Sequence, residues 1–229
     1  MKRTTVIAGV LALATSAFAL NLTACCGWEG GTETILGSYG NLVNPLNVAP
    51  PIAGGPPTAN TGDRCLQVTE SPHYSTPQAY LAFVENLTDG DVVDASFFGW
   101  DDTPDVSPSL RIWAHYATVG DVTSYEGSAG GGETYTSGIG WEQLSWSWTF
   151  DSDGGTRDAL VIEARLYSTP TTGDYSTDYW IDDLTVQASA STSWVRITTP
   201  CGSCSVPEPG TCLLLGTGLI GLVGIARRR

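Results

Sequence analysis

Apolar and polar residues alternate in short runs along most of the chain, and no window sustains a helical period. Successive side chains on a strand take opposite faces. In Trp141 to Phe150 this sets Leu144, Trp146, Trp148 and Phe150 on one side and Gln143, Ser145, Ser147 and Thr149 on the other, and the first set reads as core. In Asp158 to Tyr167, Leu160, Ile162, Ala164 and Leu166 turn to the core while Glu163, Arg165 and Tyr167 face out. In Leu110 to Tyr116, Leu110, Ile112 and Ala114 are core, and Arg111, Trp113 and His115 take the other face.

Bounded by turn residues, such runs predict strands near Ala79 to Leu87, Val92 to Trp100, Leu110 to Ala117, Trp141 to Phe150, Ala159 to Tyr167 and Tyr179 to Ala188. Weaker ones fall near Leu22 to Trp28, Arg64 to Thr69 and Trp194 to Thr198. Asn44 to Gly62, rich in Pro and Gly, reads as one long loop. Strands without intervening helices imply an all-β fold, an antiparallel β-sandwich or jelly roll.

The two ends follow other rules. Met1-Lys2-Arg3, an apolar run from Val6, and Ala17-Phe18-Ala19 have the build of a secretory signal peptide cleaved after Ala19. A rival processing site is a lipoprotein box at Leu22-Thr23-Ala24-Cys25. At the other end stand Val206-Pro207-Glu208-Pro209-Gly210, an apolar stretch from Thr211 to Ala226, and Arg227-Arg228-Arg229. A basic cluster after an apolar segment stays cytoplasmic and leaves the preceding chain outside. The stretch is short, about 16 residues against the roughly 20 that span a bilayer core.

The order of these three parts resembles the PEP-CTERM sorting signal. The resemblance implies recognition at Pro207-Glu208-Pro209 by an exosortase-type protease, a transient membrane anchor, and delivery to the cell surface or extracellular matrix. An ordinary tail anchor is the other reading. The expected divisions are a signal peptide (1–19), a β-sandwich domain (20–199), a cysteine-containing linker (200–205) and a sorting segment (206–229).

Charge narrows the function. The chain holds 24 acidic residues, and setting aside Glu208 leaves 23 in the domain against five arginines (Arg64, Arg111, Arg157, Arg165, Arg196) and no lysine. That field repels phosphate backbones, which argues against a nucleic-acid partner, and it favours divalent cations. Without lysine there is no Schiff-base chemistry.

Six cysteines suit an exported protein. Cys65 could pair with Cys25 or Cys26, and Cys201 with Cys204. Cys212 reads as an apolar filler of the tail segment. With His73 and His115 scattered, the set does not make a zinc site.

Gly27-Trp28-Glu29-Gly30 near the start and Trp180-Ile181-Asp182-Asp183-Leu184 near the end form the most informative pair of motifs. Together they resemble the first and last strands of galactose-binding-like jelly rolls found among carbohydrate-binding modules. The resemblance implies a structural calcium ion on Glu29, Asp182 and, less directly, Asp63. Alternation points the same way. It puts Asp182 on a face with Trp180, Leu184 and Val186, where a carboxylate needs a partner, and calcium prefers such oxygens. An arginine partner or a turn-capping role would also satisfy Asp182.

Sugar recognition needs flat aromatic faces with a few fixed polar groups. Arg111, Trp113 and His115, with Glu163, Arg165 and Tyr167 on another strand, are the candidates, and Trp100 is the fallback. Catalytic signals are sparse. No nucleophile elbow, phosphate loop or dinucleotide fingerprint occurs, and Asp182-Asp183 on one strand would point to opposite faces. The sequence therefore predicts a non-catalytic glycan- or exopolysaccharide-binding surface protein. A structural or adhesive coat protein is the first alternative, and a polysaccharide hydrolase the second.

Overall fold

The computed structural model describes residues 20–72, 76–101, 110–166, 176–190 and 195–202. The expected signal peptide, His73, Asp102, Tyr167, Trp194, Cys204, Cys212 and the sorting tail lie outside the described residues. Within them every regular element is a strand: β1 (Leu20–Cys26), β2 (Gly37–Tyr39), β3 (Leu42–Val48), β4 (Cys65–Glu70), β5 (Gln78–Glu85), β6 (Val92–Asp101), β7 (Arg111–Ala117), β8 (Ser128–Thr134), β9 (Glu142–Thr149), β10 (Ala159–Arg165), β11 (Thr177–Ala190) and β12 (Arg196–Thr198).

Two antiparallel sheets face each other. The first runs β3-β4-β11-β6-β9, the second β12-β5-β10-β7-β8. β11 organises the first sheet: β6 follows most of its length on one side, while β4 takes Thr177 to Ile181 and β1 takes Leu184 to Ala190 on the other. In the second sheet β2 and β12 likewise share one side of β5. The nine strands read from alternation are all present. β2, β3 and β8 were not read. β3 occupies the start of what reads as a loop and pairs with β4. β8 is Ser-Ala-Gly-Gly-Gly-Glu-Thr, whose glycines carry no alternation to detect.

The core between the sheets takes Leu66, Val68, Leu81, Phe97, Ile112, Leu144, Trp148, Leu160, Ile162, Ile181, Leu184 and Val186, all buried. The second sheet is covered on its outer face too. Tyr80, Phe83, Ala117, Ala159 and Val161 form a second cluster there under Leu36 and Val122. Every residue of β5 and all of β10 except Arg165 are consequently buried.

Four expectations change. His115 and Glu163 are fully buried, because the outer face that alternation gives them is roofed over. Trp146 is 41% exposed although its strand neighbours Leu144 and Trp148 are core. β9 is an edge strand, and the Trp146 ring reaches past the core onto Gly132 of β8, where a Cβ would stand 2.2 Å from it.

The third change is at Asp183, where a bulge with φ of 49° interrupts the β11–β6 register. One extra residue reverses the strand's parity. Leu184 and Val186 therefore turn into the core with Ile181, and Asp182 keeps only Trp180 as its neighbour on the outer side.

The fourth concerns the cysteines. Cys26 pairs with Cys201, tying β1 of one sheet to the exit from β12 of the other across 175 residues. Cys65 is free and buried, its thiol pushed up to about 12, chiefly by burial and next by Asp182. Cys25 is disulfide-bonded as well.

Candidate functional site

Register assembles one face of the second sheet into rows. Directly paired residues of antiparallel strands share a face. Tyr39, Gln78, Arg165, Arg111 and Thr134 therefore line up across β2, β5, β10, β7 and β8. The next row is Gly37, Tyr80, Glu163, Trp113 and Gly131, and the next holds Phe83, Val161, His115 and Ser128. The structure thus brings Arg111, Trp113, His115 and Arg165 together.

Contacts lock this face. The Arg165 guanidinium stacks 4.8 Å from the centre of the Trp113 ring, an attraction to the ring's negative face. With the Gln78 amide turned so that its oxygen faces Arg165, Nη2 donates to that oxygen at 2.5 Å, and the Arg165 Nε lies 3.7 Å from Glu163 Oε2. Glu163 Oε1 pairs with His115 Nδ1, both groups buried. Trp113 donates from Nε1 to Ser128 Oγ at 3.0 Å. Gly131 makes the Trp113 seat possible, since a Cβ there would lie 2.7 Å from Trp113 Cα.

Aromatic rings flank the site at both ends. Tyr125, 62% exposed, lies tilted over His115 with centroids 5.6 Å apart, and Tyr39 is 61% exposed at the β2 edge. Tyr80 packs edge-on to His115 at 5.1 Å, and its hydroxyl is pushed up to about 12, first by burial and then by Glu163. Tyr39, Gln78, Tyr80 and Tyr125 escape the sequence reading. β2 is three residues long and Tyr125 sits in a loop, so periodicity carries no signal for either. Trp100, the fallback, lies on the other sheet, edge-on to Trp141 at 5.9 Å.

A second constellation sits where β1, β4 and β11 meet. Asp182 Oδ2 accepts from Asn60 N at 2.9 Å and Thr61 N at 3.2 Å, and Oδ1 from Asp183 N at 2.8 Å. Asp183 accepts from Asn60 Nδ2 at 2.7 Å and Thr61 Oγ1 at 2.6 Å. The bulge therefore turns both aspartates to one loop, against the expectation of opposite faces. Glu29 accepts from Asp63 N at 3.0 Å and Arg64 N at 3.3 Å, so Asp63 contributes its backbone to this contact.

The two aspartate carboxylates and the stem of Glu29 converge on Gly27, while the Glu29 carboxylate itself lies at Gly62. A Cβ at Gly27 would lie 3.6 Å from Asp183 Oδ1, 3.8 Å from Asp182 Oδ1 and 3.9 Å from Glu29 Cγ. Asp182 is fully buried, and its carboxyl is pushed up to about 7 by burial and then by the Asp183 charge, against the pull of its three backbone donors. Among the described residues no cationic side chain is ion-paired to any of the three. The Arg64 side chain turns instead to Asn47, donating from Nη2 to its carbonyl at 2.8 Å. In donor chemistry the set suits a hard divalent cation. Among the described residues, however, no three His, Cys, Asp or Glu groups stand close enough together to hold a metal ion by themselves.

Comparison with known proteins adds the following. No curated protein sequence matches the chain. The fold is similar to two solved structures from Paenibacillus barcinonensis. One is the CBM22-1 xylan-binding domain, at 16% identity and a TM-score of 0.47 over 75% of this chain and 95% of that one. The other is the CBM22-2 xylan-binding domain, at 14% identity and a TM-score of 0.42 over 77% and 98%. Residues 205–229 match the family described as the PEP-CTERM protein-sorting motif, which marks the chain for export and sorting.

Proposed function

We propose that the chain is an exported, non-catalytic glycan-binding module, held transiently in the membrane by its tail and released to the cell surface or matrix when an exosortase-type protease acts near Pro207-Glu208-Pro209. The observation that carries the binding reading is the row structure of the second sheet. A flat indole, two arginines and a glutamine lie side by side across adjacent strands, with an exposed tyrosine at each end of the face.

A sugar ring offers C–H faces to Trp113, Tyr39 and Tyr125 and hydroxyls to Arg111 and Arg165, with Gln78 holding Arg165 from below. Glu163 acts beneath this surface by holding Arg165 and His115 in place. Burial of both His115 and Glu163 suits a packed support better than a proton-transfer pair.

At the strand junction we propose that calcium sits among Glu29, Asp182 and Asp183 and braces the first strand against the last. The ion would supply the positive charge that a fully buried carboxylate beside a second carboxylate lacks.

The test is a titration of the full chain, solubilised in mild detergent, with soluble xylan, other β-glycans and the exopolysaccharide of the source cell, in calcium and in chelator. Saturable binding lost in Trp113→Ala is the expected result. Absence of binding to all of them would overturn the reading in favour of a structural coat protein. Polysaccharide turnover would favour a hydrolase.

A further inference from the structure

Alternation assigns Trp146 to the core, yet its ring stands at the open side of the sandwich between β9 and β8. Two consecutive glycines of β8 explain the arrangement. Gly131 lies against Trp113 and Gly132 against Trp146, and neighbours on a strand face opposite ways. The two indoles are therefore seated on opposite sides of the same strand, and whatever binds at Trp113 does not reach Trp146.

The surroundings of Trp146 differ from those of a packing residue. Trp148, two positions on, is buried and donates its indole N–H to Gly130 O at 3.0 Å. Trp146 is 41% exposed, and its N–H has no hydrogen-bond partner among the described residues. It lines a shallow concavity of about 500 Å³ at this edge with Glu133 and Ala95, and with Asp94, Ser96, Ser145 and Ser147, whose side chains take the opposite, outer face of the sheet. Glu133 reaches across from β8 to β9, where its Oε2 accepts from Ser145 N at 2.6 Å and Ser145 Oγ at 3.2 Å. Asp94 is exposed and has no ion pair among the described residues.

We infer that this edge is a second glycan subsite, for neutral sugar units. The reading rests on the glycan-binding function proposed above and adds a place and a selectivity to it. The exposed ring area of Trp146 packs against the C–H face of a pyranose, and its N–H meets a sugar hydroxyl. The Glu133 carboxylate at the same edge accepts a hydrogen bond from such a hydroxyl, and its charge, with that of nearby Asp94, repels a uronate or sulfate. Two subsites on opposite sides of β8 let one module join two chains, or grip one long chain twice, which multiplies affinity for polymer over short oligosaccharide.

The experiment follows the tryptophan indole N–H resonances of the isotopically labelled full chain in detergent, with those of Trp146 and Trp113 assigned from their loss in Trp146→Phe and Trp113→Phe. Xylo-, cello- and manno-hexaoses are the neutral probes, and an oligogalacturonate is the acidic one. A neutral hexaose is expected to shift Trp146 in the wild type and in Trp113→Ala, while the oligogalacturonate leaves it still. Trp146→Ala should weaken binding of the corresponding long polysaccharide about three- to tenfold, the worth of one aromatic stacking contact, and keep the response at Trp113.

A Trp113 response with Trp146 silent would overturn the second subsite and leave the first standing. A Trp146 response with Trp113 silent would do the reverse. Silence of both towards every neutral probe would overturn the two together.

Discussion

Two fully buried carboxylates, Glu163 in the second sheet and Asp182 in the first, are stabilised in opposite ways. Glu163 is compensated by side chains: His115 bonds one oxygen, and Arg165, stacked on Trp113, approaches the other. Asp182 has only backbone N–H dipoles and a second carboxylate next to it, and its own carboxyl rises to about 7. A charge held by a cation and a side-chain hydrogen bond is part of the packing, and taking it away is costly. A charge held by dipoles beside a like charge keeps an affinity for a proton or a metal ion. The first arrangement makes a rigid floor under the proposed binding face. The second makes a junction that responds to pH and cations.

That contrast can be broken most strongly at Glu163. Glu163→Ala leaves buried His115 and half-buried Arg165 without their acceptor, and loss of one partner from a buried pair costs about 3–5 kcal/mol. Urea denaturation of the variant should show its midpoint falling by that equivalent. A loss below about 1 kcal/mol would mean that the face is open to water and the pair is screened.

The junction should respond to solution conditions next. In chelator, the raised carboxyl of Asp182 keeps its proton in the folded state up to about pH 7, whereas in the unfolded chain it ionises near pH 4. Between those limits the folded state binds more protons, so stability from this group falls as pH rises from about 4 to 7 and is level above. Calcium replaces the proton, so its stabilisation should be larger at pH 8 than at pH 5, about 2.7 kcal/mol at a hundredfold excess over its dissociation constant. Melting curves in calcium and chelator at the two pH values measure both effects. Equal melting temperatures with and without calcium at pH 8 would exclude the metal.

The finest test is Asp183→Asn. It removes the like charge that is the second cause of the Asp182 shift. The pH-dependent loss in chelator should then end at lower pH and be smaller than in the wild type. Because both proteins share the rest of the strongly acidic surface, the difference between their melting curves isolates this pair.

Much of the binding face was legible in the sequence. Period-two alternation places Arg111 and Trp113 together on one face of β7 and Glu163 and Arg165 together on one face of β10, and the two strands lie side by side in register so that these faces coincide. It does not say whether a face is open, and His115 and Glu163 lie under a roof of residues distant in sequence. Tyr39 and Tyr125 were illegible because a three-residue strand and a loop show no period.

Nor can a count of alternate residues foresee a bulge. The left-handed backbone at Asp183 shifts every later residue of β11 to the other face, which is how Leu184 and Val186 reach the core and Asp182 does not.

The sequence by itself determined the all-β class, nine of the strands, the acidic surface and the sorting tail. Each of these is written in local order, as a period, a composition or a motif. Tertiary structure alone decided which tryptophans are buried, that Cys26 meets Cys201, and that Asp182 and Asp183 share one loop. These depend on contacts between residues up to 175 positions apart, and such contacts are set by how the two sheets close on one another, which no local pattern of residues encodes.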